Sequence, residues 1–258
     1  MKIVVAYKWA PNPQDLEVRA DGTVDASRGK PAVSEYDPVA FELARRLADE
    51  AGGEVVGLTV GAAAIDTPLA RKAALSRGLD RLVVVADDAL AGADSTRLAA
   101  VLAAAVRTIG DVDLVLAGDS SVDVAEGQVP LTAAAHLGWL GLSRVTAVSP
   151  AADGLTVERD TPAGVAVLTV RTPVVLAAAA DAVVPRVAGM KDILAAAKKP
   201  VEALHLADLD VSAPTVTLVT LGTAKPAGGD RRAVLFDGPD PVSAASQLVG
   251  ALRSAGVL

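Results

Sequence analysis

Two hydrophobic rhythms alternate along the first half of the chain. Short, near-continuous apolar runs appear at "KIVVAY" (2–7), "EVVGLTVG" (54–61), "RLVVVAD" (81–87) and "DLVLAG" (113–118). Their length, β-branched content and charged or glycine borders predict strands. Between them, apolar residues recur every three to four positions, which predicts helices over 36–53, 64–80, 94–110 and 127–138. Gly52-Gly53 and Gly78 read as helix stops, and Asp94 or Ser95 as an N-cap. Strands that are apolar throughout, with helices between them, predict a parallel sheet covered on both faces. Ligands of such sheets bind beyond the carboxyl ends of the strands, where the strand order reverses.

The second half changes character. Residues 143–180 read as strands separated by turns at Asp153-Gly154 and Pro162 to Gly164, a hairpin or meander. A short helix and an extended piece follow within 191–211. Periodicity fades from Ser212, where Pro, Gly and Thr become frequent, and returns as an amphipathic helix over 240–258. The chain therefore divides into a core of 1–211 and an arm of 212–258, which either docks on another chain or folds back. One polar excursion, 11–31, carries the turn signal Asp21-Gly22 and is long for a structureless loop.

Composition narrows the chemistry. Aromatic residues are only 2% of the 258, so bases find few platforms to stack on. A net charge of −7 argues against a nucleic-acid or anionic-membrane surface. Without cysteine there is no disulfide, thiolate metal site or cysteine nucleophile. The first apolar run is too short for a signal peptide, and no run reaches the ~18 apolar residues of a membrane span. The expectation is a soluble cytoplasmic protein without membrane insertion. A mean hydropathy of +0.41 hints at surface meant to be covered.

Catalytic constellations are poor. His136 and His205 sit in apolar contexts with no partner in sequence. Neither a GxxxxGK[ST] loop nor a GxGxxG fingerprint occurs, "GDSSVD" lacks the nucleophile-elbow pattern, and no metal-ligand spacing is present. No catalytic residue and no metal site are expected. The candidate binding segment is "GDSSVDVAEGQ" (118–128), between a strand and a helix. Gly118 opens this segment, Gly127 and the first helical amides, at Gln128 and Val129, could hold a phosphate at the helix start, and Asp123 suits a hydroxyl or amine donor. An N-capped turn that binds nothing is the other reading. The strand exits at Ala6 to Trp9 and at Thr59 to Gly61 would supply two further walls. In "VPRVAGMKDILAAAKK" (184–199), Met190 offers an adaptable apolar side chain for an interface. A capped surface helix is the alternative there.

These segments, in this order, resemble the β subunit of electron transfer flavoprotein. The resemblance runs through "KIVVAYKWAPNP", "YDPVAFELARRL", "TVGAAAIDTPLARKAALSRGLDRLVVV", "LVLAGDSSVDVAEGQVP" and "PRVAGMKDILAAAKKPVE". It implies a doubly wound, mostly parallel, Rossmann-like α/β fold that binds an adenine nucleotide, with antiparallel hairpin additions and a C-terminal arm wrapping a partner. It implies an electron carrier without bond-making catalysis. AMP would sit in this chain, or FAD in electron-bifurcating members, and an α subunit would carry the redox-active FAD. Contacts to the nucleotide would come from Ala6, Val60, Gly61, Asp123 and Gln128, with residues 35–38, Glu35 among them. The segment 187–195, with Val187, Gly189, Met190, Ile193 and Leu194, would dock flavoprotein dehydrogenases such as acyl-CoA dehydrogenases. The chain departs from the family pattern at Glu35, at Val124 to Glu126 and at Met190, where Leu is typical. A nucleotide sensor of the universal-stress type and an ATP-dependent ligase-like enzyme are the competing readings. The first lacks the expected loop glycines and leaves the C-terminal extension without a role. The second lacks a Gly- and Ser-rich loop after the first strand.

Overall fold

The computed structural model describes residues 1–19, 21–25, 27–211, 221–222, 233–236 and 240–258. Met1–Thr223 forms one compact unit and Ala224–Leu258 a second.

The first unit is built on a nine-stranded sheet. Its strands are β1 (Lys2–Ala6), β6 (Glu54–Gly61), β7 (Arg81–Ala86), β8 (Leu114–Gly118), β9 (Leu140–Ala151), β10 (Gly154–Thr161), β11 (Gly164–Val170), β12 (Val174–Ala178) and β13 (Val201–Ala203). Four short strands complete the numbering: β2 (Trp9–Pro11), β3 (Glu17–Val18), β4 (Val24–Asp25) and β5 (Pro31–Val33). The sheet order is β11-β10-β9-β12-β8-β1-β6-β7-β13. All neighbours from β9 to β13 pair in parallel, whereas β10 and β11 are antiparallel additions at one edge.

Helices cover both faces, as continuous apolar strands demand. On one side pack α1 (Pro38–Ala51), α2 (Pro68–Leu75) and Ala196 of α5 (Met190–Ala196); on the other pack α3 (Ser95–Ile109) and α4 (Val129–Leu137). Every residue of β8 and β12 is buried. The chain leaves β1 for β6 and β7 on one side, then crosses to β8 on the other. The strand order therefore reverses between β1 and β8.

The predicted helix 64–80 is not one helix. A 3-10 turn spans Ala63–Ile65, and α2 starts only at Pro68. Thr67 precedes proline, which pushes it into extended backbone, and its hydroxyl then accepts from Ala70 N at 3.1 Å as an N-cap. Gly78, at φ +95°, turns the chain away after Leu75. The helix expected over 127–138 begins at Val129, because Gly127 takes φ +64°. The polar excursion 11–31 is not structureless: β2 pairs with β5, and β3 with β4 around the Asp21-Gly22 turn.

The stretch 212–239 lies largely outside the described residues. In the second unit, α6 (Pro241–Ser254) starts under Asp240, whose carboxylate accepts from Val242 N at 3.1 Å and Ser243 N at 3.2 Å. Val242, Leu248 and Val249 are exposed on it. Among the described residues, no helix is long and apolar enough to cross a membrane.

The packing has a direct test. Leu116 is fully buried at the centre of the sheet, and Val167 on β11 is 62% exposed. Leu116→Ala should cost about 2–5 kcal/mol in urea unfolding, and Val167→Ala less than about 0.5 kcal/mol.

Candidate functional site

A cleft of about 200 Å³ opens where the strand order reverses, at the carboxyl ends of β1, β6 and β8. Its floor is apolar: Leu98 and Leu102 from α3, Val115 and Ala117 from β8, and Val175 from β12. Its rim comes from the β1 exit, the segment before α1, the loop 118–128 and the start of α3.

One side chain ties these loops together. Asp37 is buried at the start of α1. Its Oδ2 accepts from Lys8 N at 2.8 Å, and its Oδ1 accepts from Gly118 N at 3.2 Å. It thereby bridges the ends of β1 and β8, the two strands that flank the reversal. Gly118 must lack a side chain there, since a Cβ would lie 2.6 Å from Tyr36 O and 2.8 Å from Asp37 Oδ1. Ser34 adds a second tie: its N–H donates to Lys8 O at 2.9 Å and its Oγ accepts from Val122 N at 3.3 Å. Lys8 reaches back across the cleft to Asp123, with Nζ 2.9 Å from Oδ1 and 2.7 Å from Oδ2. Lys8 is the one cation among the described lining residues.

Burial shapes the charges. It pushes the Asp37 carboxyl up to about 7, against the opposing pull of the Lys8 and Gly118 N–H groups and the Lys8 charge. Burial also raises the Asp119 carboxyl. Asp123 feels the same burial, but the Lys8 ammonium and a Ser121 hydrogen bond outweigh it and hold Asp123 below the usual carboxylate value. The Tyr7 phenol is raised by burial and further by Asp37 and Asp66.

At the far side α4 begins. Gln128 makes no side-chain cap and Pro130 has no N–H, so the first turn of α4 lacks a capping acceptor, and Gln128, Val129 and Pro130 line the cleft. Gly127 turns sharply beside Asp119 O, and Ala125 is held at φ +52°. Ser95 Oγ reaches Gln128 Oε1 at 3.4 Å, linking the starts of α3 and α4. An apolar slot, an uncapped helix start and one ammonium suit a flat, partly polar ligand carrying an anionic end.

Of the residues singled out in the sequence, Ala6, Val60, Gly118, Gly127, Gln128 and Val129 line the cleft. Asp123 is not among the lining residues and pairs with Lys8, which is. Gly61 is turned the other way, against Ile65, because successive strand residues face opposite sides. Glu35 is exposed and outside the cleft, and Asp37 occupies the place expected of it. Sequence reasoning named the spans 35–38 and 6–9 without singling out Asp37 or Lys8, and it missed Ser34. Asp37-Pro38 was the available signal, since an acid before an N1 proline marks a helix start. His136 and His205 are exposed, away from the cleft, and no metal-ligand cluster occurs among the described residues.

The segment 184–199 is pinned at both ends and displayed in the middle. Glu42 of α1, only 5% exposed, accepts from Arg186 N at 3.2 Å and from Arg186 Nε at 2.6 Å. Lys199 Nζ donates to Leu75 O at 3.1 Å, at the end of α2. Between these ties Ala196 is buried, while Val187 (93%), Met190 (73%) and Leu194 (65%) stand out in solvent. Ile193 is half-buried, and Gly189 is exposed and donates to Asp192 Oδ2 at 2.9 Å. Met190 opens α5 and does not sit in a loop.

A family model described as the electron transfer flavoprotein domain matches residues 21–209. The chain belongs to the electron transfer flavoprotein family. The matched span includes Asp37, the 118–128 loop and the whole of the 184–199 segment, while the β1 wall of the cleft, Ala6 to Lys8, precedes it.

The raised Asp37 carboxyl predicts a pH dependence. Its folded value, about 7, exceeds its ordinary 3.8, so the folded chain holds the extra proton between these limits. Stability from this group is therefore present below about pH 4, falls as pH rises to 7 and is level above, by up to ~1.4 kcal/mol per pH unit. Urea midpoints from pH 5 to 8 should show this fall in the wild type and a flatter profile in Asp37→Asn. Parallel profiles would show that Asp37 is ionised throughout.

Proposed function

We propose that the chain is the β subunit of a heterodimeric electron transfer flavoprotein. It binds AMP in the cleft, pairs with an α subunit that carries the FAD, and docks flavoprotein dehydrogenases on the face around Met190. The observation that carries this reading is the conjunction of two features in one chain of this family. One is an apolar-floored cleft with a single ammonium at the strand reversal, and the other is a pinned segment that holds three large apolar side chains in water.

The cleft residues fit an adenine nucleotide. Leu98, Leu102 and Val175 would lie against the base, and the first-turn amides of α4 with Lys8 would hold the phosphate. AMP brings no redox chemistry; when bound, it would tie the loops around the cleft. The chain's own contribution is structural. Asp37 keeps the β1 and β8 exits together, and Lys8 offers its ammonium to the anion in competition with Asp123. Glu126, exposed at the mouth, can point away from a phosphate. Electrons would pass between a docked dehydrogenase and the FAD of the partner. This fits a chain whose two histidines are exposed and lie outside the cleft.

The exposed apolar side chains support docking for a physical reason. Exposed Val187, Met190 and Leu194 gain free energy when covered, by about 25 cal/mol per Å² of apolar surface. Met190 can adapt its shape to more than one partner.

Two variants test the two halves independently. Lys8→Met should lower the nucleotide retained per purified αβ complex at least about threefold, measured by absorbance after denaturation; full retention would remove Lys8 from the site. Met190→Ala should slow electron transfer from an acyl-CoA dehydrogenase by about tenfold with the αβ complex intact. Dissociation of the complex would instead make the segment a subunit contact.

A further inference from the structure

We propose that the pocket between the end of α2 and the segment Pro185–Ala188 receives an acidic side chain of the dehydrogenase that docks around Met190. This rests on the docking reading above and adds a polar half to it.

The pocket has a volume of about 410 Å³. Arg77 and Ser76 form one wall; Pro185, Val187 and Ala188 form the other. The second wall is held in place by the Glu42–Arg186 pair. Arg77 is the unusual member. Its Nε is buried and has no hydrogen-bond acceptor. Burial alone shifts its titration, downward, with no carboxylate contributing. The arginines nearby are all engaged: Arg45 with Asp49 and Asp80, Arg71 with Asp66, Arg81 with Glu54 and Glu202, Arg186 with Glu42. A half-desolvated guanidinium without a counter-ion is costly, and a carboxylate placed against it would relieve that cost.

The chain's own nearby acids are committed. Glu42 is taken by Arg186 and Arg46, and Asp192 by Gly189 N. Ser76 Oγ donates to Ala73 O at 3.1 Å and leaves Arg77 unserved. A small free anion is a poor occupant, since the molecule carries −7 overall and the pocket opens to water, where a single ion pair gains little. A docked protein changes both conditions. Val187 lines the pocket and is 93% exposed, Met190 follows three residues on, and covering them would exclude water from the ion pair as well. An aliphatic anchor beside a desolvated arginine is the composition of an interface hot spot. The acid on the partner would also fix the register of docking, which Met190 alone, a flexible and non-directional contact, cannot do.

The test uses the αβ complex and an acyl-CoA dehydrogenase reduced by its acyl-CoA substrate. Arg77→Met should raise KM for the complex about tenfold at low ionic strength, with kcat nearly unchanged, and should flatten the salt dependence of kcat/KM. Arg77→Lys, which keeps the charge, should recover part of the loss. Met190→Ala serves as the reference and should weaken transfer at every salt concentration. If Met190→Ala slows transfer and Arg77→Met matches the wild type, the pocket proposal fails and the docking reading stands. If neither variant changes transfer, the docking reading falls and the pocket proposal falls with it. If Arg77→Met prevents assembly with α, the pocket faces the other subunit and the proposal is overturned.

Discussion

The carboxylate of Asp37 is the contact on which the site depends. A doubly wound sheet necessarily has a place where two neighbouring strands send their chains in opposite directions. The ladder holds β1 beside β8 as far as Ala6 and Ala117, and beyond that point the two chains part and open a crevice. Here one buried side chain accepts from Lys8 N on one side and from Gly118 N on the other. Gly118 lets residues 36–37 approach closely enough for this. The arrangement carries a cost, visible as the upward shift of the Asp37 carboxyl, because a charge is being kept out of water. The two backbone donors offset that cost in part, and in return the crevice has a defined width.

The same division of labour recurs at the 184–199 segment. Glu42 and Lys199 fix its ends against α1 and α2, and the intervening residues are left to face solvent. Pinning lowers the entropy that a docking loop would otherwise lose when a partner binds. The exposed apolar residues are thus presented on a nearly prepared surface. The cleft and the segment are supported by the same helix: Asp37 is its N-cap residue, and Glu42 lies one turn inside it.

Much of this was legible in the sequence where a local rule applies. Strands buried on both faces read as continuous apolar runs, so β1, β6, β7 and β8 stood out, and with them the doubly wound class. The 118–128 loop was visible as a break into small polar residues between an apolar run and a helix. What could not be read were pairings across long separations. Glu42 and Arg186 are 144 residues apart, and Lys8 and Asp123 are 115 apart. Within 35–38 the sequence could not single out Asp37 from Glu35, because a turn has no period from which to tell which side chain points inward. The helix expected over 64–80 was overextended because its apolar rhythm continues through Thr67-Pro68, where capping and proline sterics prevail over periodicity.

The central claim is that the crevice held by Asp37 is built for an adenine nucleotide. The most direct measurement is to purify the chain with its partner subunit, denature it, and identify the released small molecules by mass spectrometry against the FAD content. The account predicts AMP at about one per β chain together with one FAD from the α subunit. Two FAD and no AMP would move redox chemistry into this chain, and FAD alone at one per complex would contradict the claim.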